Sequence, residues 1–107
     1  MLKFYTFWVD NNKCMIYRYN TFEYSEQKRN LIMNLRCVDI AVDAIVVLCD
    51  KNAITVLSTQ KEEIRYKTTG LFDNKLWTVI HTPRNGNCRI VTMRRAHKNE
   101  EMNYYEN

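Results

Sequence analysis

Five arginines fall within one stretch of this chain, and their side chain suits phosphate better than any other. Between Lys61 and Asn99 stand nine basic residues, Lys61, Arg65, Lys67, Lys75, Arg84, Arg89, Arg94, Arg95 and Lys98, against three acidic ones, Glu62, Glu63 and Asp73. The remaining residues carry seven basic and nine acidic side chains, so the formal net charge of +4 comes from this stretch. A planar guanidinium offers two parallel N–H donors to a phosphate, which an ammonium does not. A phosphodiester attacked by its own 2′-hydroxyl gathers negative charge on the non-bridging oxygens, and fixed guanidinium groups stabilise that charge. Such a face can also bind RNA without cutting it, or stand solvated with no ligand at all.

Other groups that can do chemistry are few. His81 titrates near neutrality and is a candidate general acid or base. Beside Tyr66 on an apolar face, it reads more readily as a hydrogen-bonded core residue. Cys14, Cys37, Cys49 and Cys88 are scattered, with no Cys-x-x-Cys pair and only His81 and His97 to join them. No zinc site is expected from such spacing, and free thiols in a reducing cytoplasm are the simple reading. The chain has no glycine-rich phosphate loop, no serine or cysteine triad and no paired acidic metal site, so neither metal nor cofactor is expected. Asp39 and Asp43 read as helix-cap and solvent positions.

These residues need elements to hold them. A chain of 107 residues fits one domain, with 46% hydrophobic residues to build its core. No apolar run reaches the roughly 18 residues of a membrane span, and no signal segment opens the chain, so a cytoplasmic protein is expected. The aromatic run from Lys3 to Val9, the turn Asp10-Asn11-Asn12 and the run Met15–Tyr19 read as a hairpin, followed by a short strand at Phe22-Glu23-Tyr24. Ser25 is a helix N-cap ahead of Glu26, with Leu31, Ile32 and Leu35 at helical spacing. Asp39 is placed to cap a second helix carrying Ile40, Ala44, Ile45, Val47 and Leu48. Strands are predicted over 53–57, 63–70, 76–82 and 89–94, and a closing helix over 96–105. The pattern predicts an α+β fold, an antiparallel β-sheet with the helices packed on one face and an N-terminal β-hairpin extension.

Two turns set a register. With Asp73-Asn74 and Asn85-Gly86 as two-residue loops, Tyr66 lies opposite His81, Thr82 opposite Arg89, and His81 opposite Ile90. Arg65, Thr82 and Arg89 then form one row across three strands, with Lys67 and Arg84 on the same face and the Thr82 hydroxyl as a further donor. Tyr66, Trp77, Val79, His81 and Ile90 share the helix-covered face. The same register sets Trp77 against Arg94, compatible with a cation–π contact.

Three segments carry a resemblance: Glu63-Ile64-Arg65-Tyr66-Lys67-Thr68-Thr69-Gly70-Leu71, Leu76–Arg84 with its Val79-Ile80-His81-Thr82-Pro83-Arg84, and Arg89-Ile90-Val91-Thr92-Met93-Arg94-Arg95-Ala96. Together they resemble the C-terminal half of the BrnT family of bacterial toxins, which reads E-R-aromatic, G-L, V-V-H-T-x-R and R-I-I-S-A-R-x-A before an acidic, Tyr-bearing helix. Upstream, Phe22-Glu23-Tyr24 is similar to the family's F-E-W-D, and Asp50-Lys51-Asn52-Ala53 to its D-P-N-A. The resemblance spans residues 22–107 as a toxin domain, with 1–21 as an N-terminal extension of the single domain 1–107.

It implies a RelE-like fold and a ribonuclease toxin of a type II toxin–antitoxin module, inhibiting translation and growth. The expected partners are an RNA substrate and a BrnA-like ribbon-helix-helix antitoxin, with no membrane and with DNA reached only through the antitoxin. Arg65, His81, Arg89 and Arg94 are the implied catalytic set, with Lys67, Thr82, Arg84 and Arg95 expected to bind RNA. The family's K-H-G after its first helix stands here as Leu35-Arg36-Cys37. That loss supports a rival reading, a catalytically decayed binding module; the retained arginines support the enzyme.

Overall fold

The computed structural model describes residues 2–3, 21–60 and 63–106. Its elements run β1 (Leu2–Lys3), β2 (Thr21–Glu23), α1 (Glu26–Arg36), α2 (Asp43–Leu48), β3 (Ile54–Gln60), β4 (Glu63–Phe72), β5 (Lys75–Arg84), β6 (Asn87–Arg95) and α3 (Lys98–Glu106). The strands form one sheet in the order β1-β2-β6-β5-β4-β3. Neighbours are antiparallel except β2, which runs parallel to β6 through Phe22↔Cys88 and Glu23↔Arg89. The fold is thus α+β as expected, but the sheet is mixed rather than antiparallel. A parallel pair needs a long crossover, and the whole segment from α1 to β5 provides it.

The two hairpin turns hold the register. Asp73, Asn74, Asn85 and Gly86 all have positive φ, 53°, 60°, 54° and 80°, as a two-residue turn between right-twisted strands requires. Tyr66↔His81, Thr82↔Arg89 and His81↔Ile90 pair as the sequence predicts. Beyond them the ladder slips by one residue between Ile80 and His81. Val91 is the extra residue, and Trp77 therefore faces Arg95, while Arg94 faces Thr78. The expected Trp77–Arg94 contact is replaced by Arg95, whose guanidinium carbon sits 5.6 Å from the Trp77 ring centre.

One face of the sheet carries the core. Phe22, Ile32, Val38, Ile40, Ala44, Val47, Leu48, Trp77, Val79, Cys88, Ile90 and Met93 pack together there, under α1 and α2. Gly70 lets α2 approach, since a Cβ at that position would meet the Val47 carbonyl oxygen at 2.5 Å. Asp39 precedes α2 as a connector: it takes two hydrogen bonds from Arg29, at 2.8 and 2.9 Å, and accepts the Ala41 amide. The helix itself begins at Asp43, whose carboxylate accepts the Asp39 amide.

The third helix corrects the expectation that helices share one face. Glu100 of α3 accepts a hydrogen bond from Thr78 Oγ1 at 2.9 Å and pairs with Arg94, both on the face opposite Trp77 and Val79. At the β1 end, Leu2–Lys3 pairs with β2, while most of the hairpin expected over residues 3–19 lies outside the described residues. No helix among the described residues is long and apolar enough to cross a membrane.

Candidate functional site

The face of the sheet turned away from α2 opens, at the β5–β6 turn end, into a cavity of about 370 Å³. Arg65 of β4, Thr82 and Arg84 of β5, and Arg89 of β6 line it together with Glu63. Ser25, Gln27, Lys28 and Leu31 supply a wall from α1. The Ser25 cap explains that wall: its hydroxyl accepts the Lys28 amide at 3.3 Å and starts α1 beside β6.

Each arginine here is steadied by a carboxylate and still open. Arg65 Nε donates to Glu63 at 2.7 Å, and Arg84 reaches the other Glu63 oxygen at 3.6 Å. Arg89 lies 3.6 Å from Glu23, which also accepts from the Asn87 side-chain Nδ2 at 2.7 Å. The side chains of Arg65, Arg84 and Arg89 remain 29%, 49% and 31% exposed. Hydrogen bonding from Arg65, with Arg84 nearby, holds the Glu63 carboxyl below the usual carboxylate range. Thr82 is buried and donates its hydroxyl proton to the Ile64 carbonyl at 2.6 Å. Its role in the row is to fix β5 against β4 beyond the last ladder pair.

Four other expected site residues stand elsewhere. Lys67 shares the face but does not line the cavity. Arg94 is gripped by Glu100 through two hydrogen bonds of 2.8 and 2.9 Å. Arg95 stacks on Trp77 in a second groove. His81 is on the opposite face, 1% exposed, with Nε2 against Thr68 Oγ1 at 2.8 Å and Tyr66 stacked 5.8 Å away. Its Nδ1 has no partner among the described residues, and burial pushes the imidazole down to about 4. It is neutral at physiological pH.

The sequence from Tyr24 to Glu100, most of the chain, matches the family described as ribonuclease toxin, BrnT, of type II toxin–antitoxin system. The chain belongs to the BrnT family. Membership of a type II toxin family implies a cognate antitoxin. No curated protein matches the chain.

The BrnT match contains every cavity residue, and it ends at Glu100, the residue that locks Arg94. Glu23, which steadies Arg89, lies one residue before the match. Reading residues 61–99 for positive charge passes over the acidic Glu63 and Glu23, and over Lys28, which lies outside that stretch. A signal for Glu63 exists in the sequence: two residues before Arg65 in a strand, it must share that face. Glu23 has no such signal, because only the parallel pairing of β2 brings it to Arg89. Among the described residues, no group of three His, Cys, Asp or Glu side chains is placed to hold a metal ion.

Proposed function

We propose that this BrnT-family chain is an endoribonuclease of RelE-like type that cleaves single-stranded RNA without metal in the bacterial cytoplasm, inhibiting translation. The observation that carries this is the convergence of Arg65, Arg84 and Arg89, half-exposed, on one cavity. Arg65 engages Glu63 through Nε only, among the described residues, which leaves its terminal nitrogens for a phosphate. In the proposed step the 2′-hydroxyl gives its proton to the Glu63 carboxylate and attacks the adjacent phosphorus. The P–O5′ bond breaks, the 5′-oxygen takes a proton from Lys28, and a 2′,3′-cyclic phosphate remains. The arginines stabilise the charge gained by the non-bridging oxygens. Arg94 and His81, set apart from the cavity, hold the fold. The antitoxin, a BrnA-like protein with a ribbon-helix-helix part, covers the arginine face with acidic side chains, and salt weakens the complex.

One observation favours the rival reading of a binding module: each cavity arginine already has a carboxylate, and no histidine lines the cavity. Incubation of purified protein with single-stranded RNA in EDTA separates the two. The enzyme yields cyclic-phosphate ends, and Glu63→Gln slows cleavage by roughly 10²–10⁴-fold while binding uncleavable 2′-O-methyl RNA at least as tightly as the parent. Binding without any cleavage establishes the module instead.

A further inference from the structure

A second groove of about 650 Å³ lies at the far end of α1 and β6, and nothing in the proposed chemistry uses it. Leu35 and Arg36 of α1, Lys75 at the β4–β5 turn, and Trp77, Arg94 and Arg95 of the sheet line it. Asp73 is the one acidic side chain among its lining residues. Three of its cations are already placed by the fold, Arg94 by its pair with Glu100. Arg36 donates to the Met93 carbonyl at 2.9 Å, and the Arg95 guanidinium carbon sits over the Trp77 ring, 5.6 Å from its centre, while Nε donates to the Leu76 carbonyl at 3.3 Å. Arg95 remains exposed, so its outer face is free for a second planar group. A guanidinium already stacked on one ring can stack a nucleobase on its other side.

The two cavities share one helix. Gln27, Lys28 and Leu31 line the first and Leu35 the second, and steps of three and four residues set them in one stripe along α1. Leu31 and Leu35 are 50% and 66% exposed, an apolar strip between two basic ends. Six residues of β6 separate Arg89 from Arg95, about 20 Å along the backbone at strand rise, and because the bulge turns Arg95 to the opposite face, the path between them runs around the β6 edge where α1 packs. A stacked nucleic-acid strand repeats every ~3.4 Å, so about six nucleotides span that distance, and fewer do when extended.

We infer that the groove lined by Lys75, Arg95, Arg36 and Leu35 is an RNA exosite that holds the substrate strand several nucleotides from the phosphate being cut, with α1 as the rail between the two positions. This rests on the reading of the arginine cavity as the cleavage site. It makes the substrate class a single strand of at least about six nucleotides, because paired bases could not stack on Arg95 and run along Leu31 and Leu35.

The test uses 2′-O-methyl oligonucleotides of 3, 6 and 10 nucleotides, which bind without being cut, and measures Kd for the full chain. The variants are Lys75→Glu and Leu35→Asp, both at exposed side chains outside the cleavage cavity. For the parent, Kd should tighten at least tenfold from 3 to 10 nucleotides. Each variant should lose most of that gain while binding the 3-mer as the parent does, and Lys75→Glu should lower the salt dependence of 10-mer binding by about one phosphate contact. A length gain that survives in both variants, or no gain in the parent, overturns the exosite. Variants that weaken only an acidic antitoxin peptide, leaving RNA unchanged, assign the groove to the partner protein and also overturn it. A different result sinks the cleavage-site reading instead: 3-mer binding unchanged by Arg65→Ala.

Discussion

The sheet presents arginine and glutamate at both ends of one face, and the two arrangements differ in how completely the charges are used. At the α3 end, Arg94 and Glu100 form a two-point pair, 18% and 11% exposed, with Thr78 and the His97 amide also donating to Glu100. Burial opposes ionisation there, yet hydrogen bonds from Arg94, His97 and Thr78 outweigh it and hold the carboxyl down at about 2. At the turn end, Glu63 is shared between Arg65 and Arg84, one contact is 3.6 Å, and all three arginines stay partly in water. The same residue types therefore make a closed pair at one end and leave guanidinium donors open to solvent at the other. Charge alone does not mark a site; unspent donors do.

The largest effect expected from this contrast is on the open end. Arg89→Ala should lower RNA cleavage by roughly 10²–10³-fold, the usual loss for one preorganised charge-stabilising donor. Arg65→Lys should be nearly as poor, since the ammonium keeps the charge and loses the fork. Folding should change little, because partly exposed substitutions usually cost within about ±0.5 kcal/mol. Parent-like cleavage by both proteins would remove the basis for distinguishing the two ends.

A second prediction separates His81 from the arginines behind it. The unfolded chain binds the histidine proton near pH 6.5 and the folded chain only near 4. Between those values the unfolded state holds more protons, so stability rises with pH and is lost on acidification. At 1.36 kcal/mol per pH unit the loss is about 3 kcal/mol from this residue alone. Urea unfolding at pH 7, 5.5 and 4 should show it, and His81→Gln should flatten it. Glu100 acts lower: with a folded value near 2, its contribution is complete above the ordinary carboxylate range and fades as pH falls toward 2. An unchanged slope in His81→Gln would return the histidine to the list of catalytic candidates.

The smallest effect concerns the end of α1 beside the closed region. Cys37 sits in the left-handed conformation, φ 59°, where the family's K-H-G pattern has Gly. Cys37→Gly should stabilise the protein by about 0.5–1 kcal/mol by relieving that backbone, read as a small rise in Tm with cleavage unaltered. A fall in Tm would mean that the thiol's packing outweighs the strain.

How much of this is legible in the sequence follows from which forces are local. The Asp73-Asn74 and Asn85-Gly86 turns determine register by themselves, so those four residues are enough to place Thr82 beside Arg89. Ser25 likewise marks the start of α1. The bulge at Val91 has no residue signature, and it exchanges Arg94 and Arg95 between faces. The parallel strand β2 depends on a crossover of the whole middle of the chain, which periodicity does not encode. The placement of α3 rests on Glu100 meeting Thr78 and Arg94, three residues brought together only by the finished sheet.

The most direct test sets Arg65→Ala beside Arg94→Ala and measures two quantities on each, Tm and single-turnover RNA cleavage in EDTA. Arg94→Ala strands a largely buried carboxylate, a loss of about 3 kcal/mol, and should lower Tm by about 10 °C or more, while the folded protein, at concentrations that saturate RNA binding, cleaves at close to the parent rate. Arg65→Ala should leave Tm within a few degrees and cut cleavage by roughly 10²–10³-fold. If instead Arg94→Ala abolishes cleavage in a protein that melts like the parent, and Arg65→Ala cleaves normally, the assignment of lock and site is reversed and the account is wrong.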